Sequence, residues 1–382
     1  MSTSGNKSRG RVTAGDTKEE TMKGWQLHSY GDFRFEDIPI PQVKPKWVLV
    51  KVKVVQPSVT DTLTIEGTVM HPATLRLNQM MKEGKSLQFG HEFCGEVTEL
   101  GEGVTTLRVG DRVSSSAHIY CGECAMCRSG KMDRCLSPMT LGAEIPGAFA
   151  EYICLPEWGL VKIPDGPTDN EVATFQTLQS CVAMVRSAQI EMGDSVVVLG
   201  QGPIGLGCLQ VAGVAGGGPL IGVDVRAENL EIAGKCGADV VIDATKEDPV
   251  AEVNRLTDGV GADVVFEAAG GSSKHGLAGF KTIQQALQMV RQGGKVVQAA
   301  VLDGTMNLDA PFMRGRGIRY IFPDYGGQET MRYAIFLVAS KRVLVKPQIT
   351  HILQGLENLP EAMKITANKA AYRATNPAQI IL

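Results

Sequence analysis

The chain has no uninterrupted apolar run of the ~18 residues that a membrane-crossing helix requires. It also has no excess of either charge: 38 Lys and Arg stand against 41 Asp and Glu, a formal net charge of −3. Such a balance gives no electrostatic footprint for nucleic acid or for an anionic membrane surface. Met1 to Thr21 is polar, mixed in charge and lacks the hydrophobic segment of a signal peptide, so a disordered tail is expected there. No internal repeat or low-complexity tract is evident. Nine cysteines, an odd number, do not form the pattern of a disulfide scaffold. Four of them cluster, while Cys94, Cys154, Cys181, Cys208 and Cys236 are scattered through apolar sequence. That distribution suits a reducing cytoplasm in which a metal holds the cluster.

What is present centres on one stretch. Ser195 to Leu199 is a short β-branched apolar run, the pattern of a buried strand. Gly200, Gly202 and Gly205 follow at once in G-x-G-x-x-G spacing, with Pro203 and Ile204 between the last two. Ile204 to Val214 has the apolar content of a helix, and a second apolar run from Leu220 ends on Asp224. Each residue type has a physical task here. Gly200 permits a tight turn, Gly202 lets backbone approach a pyrophosphate, and Gly205 lets helix and strand pack closely. A helix start offers unpaired N–H groups to phosphates, and an acid at the next strand end can accept from an adenosine ribose. Strand, glycines, helix, strand and acid in register predict dinucleotide binding. Asp224 would repel a 2′-phosphate, which favours NAD over NADP, although Arg226 beside it is a cation that could receive one.

Cys121, Cys124, Cys127 and Cys135 are spaced C-x2-C-x2-C-x7-C among polar and glycine residues. Four thiolates satisfy tetrahedral zinc and leave no open position for chemistry; an iron–sulfur cluster is the alternative, but the loop-like sequence that follows fits a zinc-held lobe better, so a structural zinc is expected. Around these landmarks the chain, at 382 residues long for one core, divides. Strands are expected at Trp47 to Val55, Phe93 to Glu99 and Arg112 to Ser116, with β structure resuming at Gly147 to Pro156. Gly67 to Gly90, with Met70, His71, Met80 and Met81, is a loop with a short helix, either shaping a substrate mouth or filling a groove. Asp169 to Gln189 has helical composition. Val240 to Ile242, Ala262 to Glu267 and Lys295 to Val301 alternate with helices, which implies a parallel doubly wound sheet. Helices near Glu329 to Ser340 and Pro360 to Asn368 close the chain. The expected division is a tail over 1–21, a first domain over 22–184 and 323–382, and a nucleotide-binding domain over 185–322.

Gly90-His-Glu-Phe-Cys-Gly-Glu-Val97, Val109-Gly-Asp-Arg-Val113, the cysteine lobe and the glycine fingerprint, in this order, resemble the zinc-containing medium-chain alcohol and polyol dehydrogenases. Gly147 to Tyr152 and Phe266 to Gly270 add to the likeness, which runs from Met22 to Leu382. The resemblance implies an α/β protein: a GroES-like β domain beside a Rossmann domain, an active site between them, and dimers or tetramers. It implies hydride transfer between an alcohol carbon and nicotinamide, with a catalytic zinc polarising the substrate oxygen. Such a zinc takes three protein ligands and leaves one position open. The matching positions here are Ser58, where the family has cysteine, His91 with Glu92, and Gln176. Neutral Ser and Gln oxygens hold zinc less strongly than thiolate and carboxylate, which leaves His91 and Glu92 as the main donors, with Asp61 near. Thr60 stands where the family places a hydroxyl that passes the substrate proton outward. Gln379 stands where relatives often carry a cation able to reach cofactor phosphate.

The leading expectation is an NAD-dependent dehydrogenase of a secondary alcohol, polyol or hydroxy-substituted ring. A metal-free reductase of a carbonyl or an activated double bond, and a non-catalytic dinucleotide-binding protein, are the alternatives. The small-molecule substrate is not legible. Arg314, Arg316 and Arg319 either flank its pocket or form a solvated basic turn.

Overall fold

In the computed structural model, residues 20–67, 72–271, 278–302, 304–324 and 326–382 are described. Met70 and His71 therefore lie outside the described residues. Thr21, expected in the tail, already opens the first strand, Thr21–Ser29, which pairs with Asp32–Pro39.

The six-stranded sheet is parallel throughout. In space its strands run Val240–Asp243, Leu220–Asp224, Val196–Leu199, Ala262–Glu267, Val290–Gln298 and Arg319–Ile321. Numbered along the chain this is the order 3-2-1-4-5-6 of a doubly wound dinucleotide fold, which opens a crevice where the order reverses. Val196 to Leu199 is buried on both faces, as a central parallel strand must be. One face rests on a core that includes Ile221, Val265, Ile283 and Val296.

The other seven-stranded sheet is mainly antiparallel. Its path runs Ile352–Gln354, Gln379–Ile381, Trp47–Gln56, Glu92–Leu100, Arg112–Ser115 and Leu160–Lys162, with Tyr152–Pro156 also paired to Trp47–Gln56. The C-terminal strand thus joins the first domain, and fully buried Leu27, Phe93, Phe149 and Ile153 fill its core. Met80 and Met81, on the helix Pro72–Lys82, pack against that core as groove-filling residues.

The helix Phe175–Ala188 runs through the boundary expected at 184/185, because one core needs it from both sides. Its Phe175, Cys181 and Val182 share a cluster with Val54 and Cys94 of the seven-stranded sheet, the barrel side of the molecule, and with Val196, Val264 and Phe266 of the parallel sheet. Met331 and Ile335 of the helix Gln328–Ala339 join the same cluster. Among the described residues no helix is long and apolar enough to cross a membrane.

Candidate active site

The glycine turn closes the strand Val196–Leu199 and starts the helix Pro203–Val214. Gly200 sits at φ +88°, a left-handed conformation, and a Cβ there would press on Ala269. At Gly205 a Cβ would overlap the Gly200 carbonyl oxygen. Gly202, the N-cap, differs: a Cβ there would meet nothing within 4 Å, and no side chain caps the helix. The turn therefore presents bare backbone N–H groups to open space, as a phosphate cradle requires. Asp224 closes the next strand beside it. Its carboxylate accepts from the Gln201 N–H at 2.6 Å, the Arg226 N–H at 2.8 Å and the Asn229 amide at 3.1 Å. The Arg226 guanidinium donates to the Ala374 carbonyl at 2.9 Å. Gly200, Gly202, Pro203, Ile204, Gly205, Asp224 and Arg226 thus gather at one carboxyl edge, and that edge fits a dinucleotide.

The other predicted residues lie on and around the seven-stranded sheet. Ser58 caps the helix Val59–Ile65 in a capping box: its hydroxyl accepts from the Asp61 N–H at 2.9 Å while the Asp61 carboxylate accepts from the Ser58 N–H at 3.1 Å. The other Asp61 oxygen lies 3.2 Å from His91 Nδ1, with the His91 side chain only 17% exposed. Burial opposes a charge on His91, but the Asp61 carboxylate and its hydrogen bond outweigh it, and the imidazole is held up at about 9. Gly90 is required just before it, because at φ +100° a Cβ would stand 2.5 Å from the Phe149 ring. Thr60 is exposed on the first turn of the same helix.

Glu92 is buried and turned into the seam between the two domains. It accepts from the Gln56 amide and, at 2.9 Å, from the Thr177 hydroxyl. Burial raises its carboxyl above the usual range. Most of the ligand positions drawn from the sequence are engaged in other contacts here. Among the described residues, Asp61, His91 and Glu92 do not form a group close enough to share a metal ion. The Ser58 oxygen is engaged in a cap, the Asp61 oxygens hold Ser58 and His91, and the Glu92 oxygens hold Gln56 and Thr177. Gln176 adds only a neutral amide, half-buried. One imidazole nitrogen whose neighbouring carboxylates already hold other partners does not fit a firmly held zinc.

The cysteine lobe is the opposite case. The Cys124 sulfur lies 3.4 Å from that of Cys127 and 3.9 Å from that of Cys135, and the Cys135 and Cys121 sulfurs are 3.5 Å apart. Tetrahedral zinc at its usual sulfur distance needs sulfurs about 3.8 Å apart. Among the described residues these four make the only metal-sized group of His, Cys, Asp or Glu. Backbone N–H groups of Leu136 and Cys127 hold the Cys124 thiol down at about 6, near the thiolate a metal wants. These residues fit the ion.

Sequence reasoning missed a buried amide network behind Glu92. The Gln56 carbonyl oxygen accepts from Asn376 and from Gln379, each at 2.8 Å, and Gln379 also bonds Asn170. Gln379 is fully buried in that network and organises the seam. Arg316 and Arg319 donate to the carbonyls of Val290 and Gly293, at the amino side of the sheet. They therefore serve the edge opposite the glycine turn, not a substrate pocket. The Ser58-Val-Thr-Asp61 spacing, a Ser followed three residues on by an acid, was the available signal for the cap.

With this geometry in view, comparison with known proteins gives one family. Residues 44–165 match the alcohol dehydrogenase GroES-like domain and residues 203–340 match the zinc-binding dehydrogenase domain. The chain is 34% identical over 325 residues to L-threonine 3-dehydrogenase of Bacillus licheniformis, covering 83% of this chain and 87% of that protein. It is 31% identical over 337 residues to D-arabitol-phosphate dehydrogenase of Enterococcus avium, covering 87% and 90%. The alcohol dehydrogenase TADH from Thermus sp. ATN1 superposes with a TM-score of 0.77 at 26% identity, over 94% of this chain and 99% of that one. The chain belongs to the zinc-binding medium-chain alcohol and polyol dehydrogenases, and it is an oxidoreductase of the alcohol dehydrogenase type.

Proposed function

We propose that the chain catalyses NAD-dependent oxidation of a secondary alcohol, polyol or hydroxy-substituted ring to a ketone, or the reverse reduction. The observation that carries this is the pairing of an open glycine turn on one domain with an Asp61-oriented His91 on the other. The relatives named for threonine and arabitol phosphate support a small hydroxylated substrate. Asp224 at the strand end supports NAD as the preferred nucleotide. Bound at the glycine turn, NAD supplies the hydride acceptor. Gly202 and the Pro203–Val214 helix start hold its diphosphate, and Asp224 takes a ribose hydroxyl. Asp61 orients His91 through Nδ1 and leaves Nε2 as a hydrogen-bond donor toward the substrate oxygen. A protonated imidazole there stabilises the alkoxide as the carbon–hydrogen bond breaks. The exposed Thr60 hydroxyl hands the substrate proton to water.

A zinc-assisted form of the same reaction is the second reading. It is favoured by His91 Nε2, which no described residue engages. Assembly as two or four copies and residence in a reducing cytoplasm belong to this proposal; the latter is supported by nine cysteines of which none is paired in a disulfide.

A screen of secondary alcohols and ketones with NAD and NADP, with zinc counted in parallel, tests it. Turnover with about one zinc per chain supports the histidine-held oxygen, and about two with loss on mild chelation supports the zinc form. A well-folded protein that binds neither nucleotide overturns the proposal.

A further inference from the structure

We propose that Lys369 and Arg226 form a clamp for a phosphate group of the bound dinucleotide, a task that nothing in the glycine turn requires of Lys369. The inference rests on the dinucleotide reading above.

The C-terminal segment crosses from the barrel to the nucleotide edge. Just after the short helix Lys369–Tyr372, the Arg373 guanidinium donates to Glu228 at 2.8 Å. The Ala374 carbonyl accepts from Arg226, and the Thr375 hydroxyl donates to buried Asn229 at 3.1 Å. Asn229 in turn donates to Asp224. Three consecutive residues thus fasten this segment to Arg226 and to the first turn of the helix Ala227–Lys235 that follows the strand ending at Asp224, and Asn376 fastens it to Gln56 behind Glu92.

Two cations are left under-satisfied in this corner. Arg226 uses one terminal nitrogen on the Ala374 carbonyl, while the other, Nη2, is buried without a partner. The half-buried Lys369 ammonium has one long contact, 3.4 Å to the Thr366 carbonyl. Among the described residues, no carboxylate forms an ion pair with either. Burial pushes the Lys369 ammonium down to about 8; Glu92 opposes that shift and Arg226 adds to it. The Lys369 carbonyl accepts from the Ala374 N–H at 2.8 Å and the Ala374 carbonyl accepts from Arg226 at 2.9 Å, so the two cations hold the same residue from its two sides.

A desolvated ammonium and a half-used guanidinium raise the energy of the empty site until an anion arrives. A dinucleotide brings that anion as its diphosphate, shared by NAD and NADP, or as the 2′-phosphate of NADP alone. Arg offers two parallel donors to phosphate oxygens, and Lys adds a point charge.

The test is binding of NADH and NADPH, followed by their own fluorescence, in the full chain and in Lys369→Met, which keeps the apolar stem. Thermal midpoints of both proteins are measured alongside. The clamp predicts about tenfold weaker nucleotide binding at an unchanged midpoint, with recovery in Lys369→Arg. Equal weakening of both nucleotides assigns the diphosphate, and weakening of NADPH alone assigns the 2′-phosphate. Unchanged affinity for both overturns the clamp while leaving the dinucleotide reading intact. Binding of neither by the unsubstituted chain overturns that reading instead. Should Lys369→Met fail to fold, ADP-ribose and adenosine are titrated into the unsubstituted chain at low and high salt. A steeper salt loss for ADP-ribose supports the clamp, and equal losses overturn it.

Discussion

The lobe from Cys121 to Cys135 and the wall around His91 are two places where this chain sets metal-binding residue types close together. They differ in what those residues are already doing. In the lobe, four sulfurs lie within 4.8 Å of one another, three of the pairs at 3.4 to 3.9 Å, and the backbone donates to them. Around His91, each oxygen that could have joined it has another partner: Ser58 the helix start, Asp61 the imidazole and Ser58, Glu92 the seam. Ligand identity alone does not make a metal site. The donors must also be unspent and must bring enough negative charge to offset the ion's desolvation.

The comparison can be broken most forcefully at the lobe. Cys124→Ser should take bound zinc from about one per chain to none and lower the thermal midpoint by on the order of 10 °C, as metal analysis and calorimetry would register. Next is Asp61→Asn, which keeps the helix cap but removes the charge facing His91. It should cut kcat about a hundredfold. The sign of the pH effect follows from His91 being held at about 9 against an ordinary 6.5. Its contribution to stability is fully present below 6.5 and lost as pH rises through about 9. In Asp61→Asn that fall should flatten, and the alkaline limb of the rate profile should move down toward 6.5. A limb that stays in place would remove His91 from the chemistry.

Two glycines sharpen the contrast between spent and unspent space. Gly205→Ala should destabilise by about 2 kcal/mol through its clash with the Gly200 carbonyl, read from urea unfolding. Gly202→Ala should leave unfolding unchanged and weaken nucleotide binding about tenfold, because its Cβ would occupy only the phosphate's room. A modest loss of stability is expected from Ser58→Cys, about 1 kcal/mol for the weakened cap. Its value lies in the metal count: a thiolate there should draw a second zinc onto His91. A count that stays at about one would mean that more than a missing anion keeps the ion out.

The sequence announces those parts of this molecule whose partners are neighbours in the chain. The glycine fingerprint and the four cysteines are local constellations whose spacing is set by a turn or by an ion, so both could be read directly. The strands around them follow from apolar patterning, and the structure moves their ends by a few residues. The seam could not be read that way. Gln56 meets Asn376 and Gln379 more than 300 residues away, and Arg226 meets Ala374 across 148. Polar residues in such contacts look like surface residues until the fold buries them. Lys369 was invisible for the same reason, and the role of Gln379 could be seen only as a missing charge.

The helix Phe175–Ala188 carries one more consequence. Thr177, near its start, grips Glu92 of the barrel, while Cys181, one turn on, is seated where a Cβ on Gly207 of the cofactor helix would come within 2.5 Å of its sulfur. One rod is thus keyed into both halves of the enzyme. A single methyl group added at Gly207 would therefore press on the same helix that holds the Glu92 carboxylate one turn back.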